Sequence, residues 1–244
     1  MDKLYIFGVP IHRVSMREAV EILKDYLKED RLHIVATPNA EIIMMAQKDE
    51  EYKRILNDTD LNVPDGSGVV FASRVFNEPL KERVAGFDLM IEFIKWAAFH
   101  GISIYLLGAK PEVVEKAKAN LEKSYPSINI VGVHHGYFNE KEEEMVIEDI
   151  NTKNPEVLFV ALGAPRQEKW IYKNRDKLKV KIAMGVGGSF DVIAGKSKRA
   201  PAIYRRLGLE WLYRLIKEPW RYKRMMALPK FAFKVLFARL KGDF

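Results

Sequence analysis

Asp65 ends an apolar run, Leu61-Asn62-Val63-Pro64, and is followed by Gly66-Ser67-Gly68. Small residues there let a ligand approach the backbone and leave the N–H groups of a following helix open to an anion. A carboxylate in that place can take a proton from a substrate hydroxyl, the general-base task of glycosyl or acyl transfer. The same Pro-Asp-Gly sequence is also a common turn in which aspartate caps a helix. Gly185, Gly187 and Gly188 stand in Gly185-Val186-Gly187-Gly188-Ser189, where glycines can turn amide N–H groups toward a pyrophosphate. The spacing is not G-x-G-x-x-G and there is no P-loop lysine, so a tight structural turn reads equally well. Gln167, in Gly163-Ala164-Pro165-Arg166-Gln167-Glu168, follows a proline able to start a helix. Its segment suits contacts to hydroxyls or phosphates, or simply begins a helix.

Other candidates carry less chemistry. Asp58-Thr59-Asp60 has the form of a motif in which two carboxylates share a Mg²⁺ on a diphosphate. It precedes an apolar run instead of following it, and is read as a solvated loop. His134 and His135 are adjacent, so in an extended segment they face opposite sides and serve one metal poorly. There is no cysteine, which excludes disulfides and thiolate metal sites. No cofactor and no structural metal are expected.

These segments follow apolar strand-like runs that alternate with helical ones. The runs are LYIFGV, HIVATP, LNVPDG, SIYLLG, INIVGVHHG, EVLFVALG and VKIAMG. Helices are expected over residues 15–28, from about 39, and over 67–76, 87–100, 111–123, 139–151 and 166–175. Ser15 with Glu18 reads as a capping box, and Pro111 suits a first helical turn. Continuous Val/Ile/Leu runs without polar alternation describe strands buried on both faces, hence an α/β fold with a doubly wound, mostly parallel sheet. In such sheets ligands bind beyond the carboxyl ends of the strands, where Thr37-Pro38-Asn39 and the segments above fall.

The chain has 244 residues, 48% hydrophobic and 30% charged, with a net charge of +7. Residues 196–244 hold fourteen Lys and Arg against three acids, so residues 1–195 are mildly acidic and the basic character is local. The division expected is an α/β core, 1–195, and a basic, aromatic, helical appendage, 196–244, broken at Pro219 and Pro229. Phe233, Leu236, Phe237 and Leu240 fall at i, i+3, i+4, i+7, with Lys230, Lys234 and Lys241 on another arc. That is the pattern of a helix lying in the plane of an anionic membrane, or of one docked on the core or on a second copy in a homo-oligomer. Arg214, Arg221 and Arg224 would share one face if the helix ran through Pro219, and arginine forks suit a diphosphate. A nucleic-acid-binding arm is the alternative for so basic a segment. The N-terminus lacks a signal-peptide pattern and no apolar run is long enough to span a bilayer, so a cytoplasmic, peripherally attached protein is expected.

Taken together, Thr37-Pro38-Asn39, VPDGSGVV, GAPRQEKW, GVGGSFDVIAG, Arg199-Ala200-Pro201 and LEWLYRLIKEPWRYKRM resemble the WecG/TagA/CpsF glycosyltransferase family over nearly the whole chain. The resemblance implies a Rossmann-like fold and metal-independent transfer of N-acetylmannosamine from a UDP-sugar donor. The acceptor implied is the 4-hydroxyl of N-acetylglucosamine on undecaprenyl diphosphate, at the cytoplasmic membrane face, with a β1,4 product made for wall teichoic acid. It also implies Asp65 as catalytic base and Thr37 as an active-site residue, with Asn39, Arg83 and Gln167 near donor or acceptor sugar. On that reading the partner is lipid and not nucleic acid, and Arg214, Arg221 and Arg224 supply positive charge to the departing diphosphate.

Overall fold

The computed structural model describes residues 1–201, 203, 204, 207–217, 219 and 222–241, without the side chains of Arg214, Lys223 and Arg224. The first apolar run stays out of the main sheet. β1 (Lys3–Ile6) and β2 (Val9–His12) pair antiparallel with Ile6 opposite Val9. The two residues between them, Phe7 (φ 52°) and Gly8 (φ 78°), are both left-handed, the requirement of a two-residue hairpin turn. α1 (Met16–Tyr26) follows, closed by the expected capping box: Ser15 Oγ accepts from Glu18 N–H, and Glu18 accepts from Ser15 N–H.

The remaining runs form β3 (His33–Ala36), β4 (Leu61–Asn62), β5 (Ser103–Gly108), β6 (Asn129–His134), β7 (Val157–Ala161) and β8 (Ile182–Gly185). They make one parallel sheet in the order β4-β3-β8-β7-β5-β6. Between β3 and β4 lie α2 (Ala40–Ala46) and α3 (Glu50–Asn57), and between β4 and β5 lie α4 (Ser67–Val75) and α5 (Gly86–Phe99). α6 (Pro111–Ser124), α7 (Glu140–Lys153) and α8 (Arg166–Lys173) join the later strands, and α9 (Ser189–Ile193) follows β8. Successive strand residues enter opposite cores. Ile104, Leu106, Val157, Phe159, Ile182 and Met184 pack under α1, α5, α6 and α9. Tyr105, Leu107, Leu158, Val160 and Ala183 pack under α7 and α8. Both faces are covered, which is why the strands read as unbroken apolar runs.

The last segment forms α10 (Glu210–Lys217), α11 (Tyr222–Met225) and α12 (Ala227–Lys241). The tail does divide close to Pro229, at Met226, and Pro229 itself sits in the first turn of α12, where a missing N–H costs nothing. α12 is docked through Phe231, Val235 and Ala238, buried in a third core with β1, β2, α2, α3 and α4. Phe231 meets the edge of Phe7 at 5.9 Å, and Lys234 Nζ donates to Gln47 Oε1 at 2.7 Å. The stripe of Phe233, Leu236, Phe237 and Leu240 is a different face and is exposed.

The hairpin is tied to the sheet edge by His12, whose buried Nδ1 accepts from Asn62 N–H at 2.9 Å. Burial and the charge of Lys3 hold its pKa down at about 4. The unfolded chain therefore takes up a proton below pH 6.5 that the folded chain refuses until about pH 4. Stability is expected to fall by on the order of 3 kcal/mol as pH drops across that window, with no contribution from His12 above it. Buried His33, also lowered by desolvation, acts in the same direction. Urea midpoints at pH 7 and pH 4.5 measure the drop, and His12→Gln should reduce it.

Candidate active site

The loops at the carboxyl ends of β3, β4, β7 and β8, with part of the tail, enclose a cavity of about 550 Å³. Thr37 and Asn39 enter it after β3, Asp65 after β4, Gln167 after β7, and Gly187 and Gly188 after β8. The turns are bonded to one another. Asp65 N–H donates to Pro38 O at 3.3 Å, and Val84 N–H to Pro64 O at 2.9 Å, which brings Arg83 to the Asp65 loop. Asn39 caps α2, its Oδ1 accepting from Ile42 N–H at 3.0 Å, so its amide NH₂ is the group it can offer a ligand.

The cap position of α4 belongs to Gly66 and carries no side-chain bond. Gly66 sits at φ 84°, a conformation that glycine adopts without strain. Asp65 thus lies on the cavity wall one residue ahead of the cap, and α4 begins with uncapped N–H groups.

The glycine loop is arranged differently from a simple cradle. Gly185 is buried inside the end of β8, and a Cβ there would lie 2.6 Å from Gln167 Nε2, so its missing side chain makes room for the glutamine. Gly187 N–H is taken by Gln167 Oε1 at 3.0 Å. Gly188 N–H, on the cavity wall, makes no bond to another described residue and is the loop's amide open to an anion.

The tail closes one side. Ser67 Oγ donates to Gly208 O at 2.8 Å, Arg83 pairs with Glu210 at 3.3 Å, and Trp211, Met225 and Leu228 line the wall. Arg199 pairs with Asp88 and lies over the Phe87 ring at 4.7 Å, while Lys198 and Asp191 also border the cavity. Arg221 and the side chains of Arg214 and Arg224 lie outside the described residues. α10 ends at Lys217 and α11 begins at Tyr222, so no described helix runs unbroken through Pro219.

Sequence reading missed several of these residues. Gly86 is the clearest: a Cβ there would lie 2.7 Å from Thr37 Cγ2. The two are far apart in sequence, and only a glycine opening an otherwise apolar helix signalled the contact. Gly86→Ala should push Thr37 out of place, lowering activity about tenfold or more at a stability cost of roughly 1–3 kcal/mol for overpacking. Turnover and denaturant midpoint would be compared, and adding Thr37→Ser, which removes Cγ2, should recover part of both.

Asp58 and Asp60 precede β4, at the sheet edge opposite the cavity. Asp58 accepts from Tyr172 OH at 2.7 Å, and Asp60 from Arg31 at 2.7 Å and Ile34 N–H at 2.9 Å. His134 and His135 are closer than the extended reading allowed, their ring centroids 4.5 Å apart, because β6 ends at His134 and the alternation of a strand ends with it. Among the described residues no group of three or more His, Asp or Glu side chains could hold a metal ion.

A Rossmann-like sheet places ligands beyond the carboxyl ends of its strands but serves many chemistries. Residues 4–243 match the glycosyl transferase WecG/TagA/CpsF family, and the chain belongs to it. A relative from Bacillus subtilis (strain 168) is 39% identical over 232 residues, covering 95% of this chain and 90% of the relative. Another from Staphylococcus aureus (strain MW2) is 37% identical over 241 residues, covering 98% and 94%. Both are named N-acetylglucosaminyldiphosphoundecaprenol N-acetyl-beta-D-mannosaminyltransferase.

Proposed function

We propose that this glycosyltransferase moves N-acetylmannosamine from UDP-N-acetylmannosamine to the 4-hydroxyl of N-acetylglucosamine on undecaprenyl diphosphate, an early step of wall teichoic acid synthesis. The observation that carries the mechanism is that Asp65 shares the cavity wall with a glycine loop bearing an open amide at Gly188. Asp65 takes the proton of the acceptor hydroxyl, whose oxygen attacks C1 of the donor sugar. The bond from C1 to the diphosphate breaks with its electron pair leaving on UDP, and one in-line displacement turns an α donor linkage into a β product. The departing charge meets Gly188 N–H, the uncapped start of α4, and cations of the wall, Arg83 and Lys198. Arg214, Arg221 and Arg224 are the tail's further cations for the same charge. Thr37 and Asn39 fix the sugars, with Gln167 beside them on the cavity wall.

The acceptor's lipid requires the enzyme at a membrane. No helix among the described residues is long and apolar enough to cross one, whereas the outer face of α12 and exposed Ile203, Leu207, Ile216 and Met226 put apolar side chains among the tail's basic ones. That composition supports peripheral attachment to the anionic inner face of the cell membrane. Incubation with UDP-N-acetylmannosamine and a lipid-diphosphate N-acetylglucosamine acceptor, with UDP-N-acetylglucosamine as competing donor, tests the reading through UDP release and product linkage. No UDP release, or an α-linked product, would overturn it; loss of turnover with chelator would return attention to Asp58 and Asp60.

A further inference from the structure

Behind the glycine loop lies a buried acid that the mechanism above does not use. Gln167 and Glu168 open α8 side by side, and both are almost wholly inaccessible, as is Tyr52 on α3. Glu168 Oε1 accepts from Gln167 Nε2 at 2.7 Å, and its Oε2 accepts from Tyr52 OH at 3.1 Å. Gln167 Oε1 in turn accepts from Gly187 N–H at 3.0 Å. Gly185 makes space for the arrangement, since a Cβ there would lie 2.6 Å from Gln167 Nε2 and 3.1 Å from Glu168 Oε1. Burial raises the pKa of this carboxyl, as expected for an acid taken out of water. A buried ionisable group is costly, and packing alone does not require one here.

A glutamine amide has nearly the same shape in its two flips, so its orientation is set by what its neighbours donate and accept. Here the neighbours are opposite in kind. Glu168 Oε1 requires a donor and Gly187 N–H requires an acceptor, so one flip makes both bonds and the other breaks both. Tyr52 OH, donating to the far oxygen, helps keep Glu168 an acceptor toward Gln167. We propose that Glu168 and Tyr52 are positioning residues that lock the Gln167 amide, and through it the Gly187-Gly188 turn, in the conformation that receives the donor's diphosphate. This rests on the reading that the cavity takes a UDP-sugar.

The test uses the full chain with UDP as probe and three variants: Glu168→Leu, which removes the acceptor; Glu168→Gln, which keeps an acceptor oxygen; and Tyr52→Phe, which removes only the hydroxyl. Hydrogen exchange at the Gly187 amide, read without ligand, reports the lock, and calorimetry reports UDP affinity. Glu168→Leu is expected to speed Gly187 exchange and weaken UDP about tenfold each, the worth of roughly one net hydrogen bond. The Michaelis constant for the acceptor should stay as in wild type. Glu168→Gln should restore both quantities, and Tyr52→Phe should show the Leu effect in smaller measure, which keeps the test in hand if Glu168→Leu does not fold. Unchanged Gly187 exchange in folded Glu168→Leu or in Tyr52→Phe overturns the lock. Faster exchange with unchanged UDP affinity overturns its link to the diphosphate. Failure of wild type to bind UDP refutes the nucleotide reading instead, and leaves the exchange data to decide the lock alone.

Discussion

Asp65→Asn is expected to slow transfer by about 10²–10⁴-fold, the usual contribution of a positioned general base, while UDP affinity and the urea midpoint stay near wild type. The substitution keeps the shape of the side chain and removes its ability to hold a proton. Backbone consequences should be small, because the special conformation of the turn is carried by Gly66 (φ 84°). The turn is also held from outside by the bonds to Pro38 O and from Val84 N–H. A loss confined to turnover, with donor binding retained, is the signature of an interaction made in the transition state and not in the ground state. Normal turnover by a folded Asp65→Asn enzyme would exclude Asp65 as the base and direct attention to Asp191, another carboxylate on the cavity wall. An Asp65→Asn enzyme that loses UDP binding to the same extent as turnover would show that the residue organises the site instead of moving a proton.

Legibility in the sequence followed the range of the interactions involved. Ile104 to Leu107 read as a strand covered on both faces because each of the four is apolar, and they do alternate between two cores. Ser15 with Glu18 was readable because a capping box is complete within four residues. The strand-end segments assembled because parallel topology places every such end on one edge. What could not be read was set by distant contacts. The Phe7-Gly8 hairpin looked like any strand, since nothing in a short apolar run states its partner. Gln167 looked like a ligand-binding side chain. Its amide is also shared between Glu168 and Gly187, a division that only the folded arrangement of β8 and α8 creates. In α12 the stronger sequence signal was the aromatic stripe, whereas docking uses the less conspicuous Phe231, Val235 and Ala238. Both faces are apolar, and composition alone does not say which one the core takes.

That second face yields the largest expected change in behaviour outside the cavity. Phe233, Leu236, Phe237 and Leu240 are 72%, 49%, 48% and 86% exposed, so replacing all four by serine removes little folded-state contact. At about 1.5–3 kcal/mol for each such side chain fully transferred from water, and allowing for their partial exposure, their insertion into a lipid interface is worth roughly 5 kcal/mol. Flotation with phosphatidylglycerol vesicles should therefore fall by at least about a hundredfold in apparent affinity. Circular dichroism, urea midpoint and turnover on a water-soluble acceptor should change little. Phe231→Ala is the opposite case: buried against Phe7 in the third core, it should cost about 3–5 kcal/mol of stability. Lys234 should contribute little to lipid binding, because its ammonium is drawn inward to Gln47 and lies over the Phe7 ring at 4.3 Å. The salt-sensitive part of vesicle binding should come instead from exposed cations such as Lys230 and Lys241. If the quadruple variant floats as well as wild type but sediments as a smaller particle, the stripe joins two copies of the chain and the membrane reading of α12 is wrong. If it floats poorly and also loses turnover on the soluble acceptor, the outer face of α12 is coupled to the cavity through the inner one, by way of Phe231 and the α2 and α4 helices that present Asn39 and the Asp65 turn.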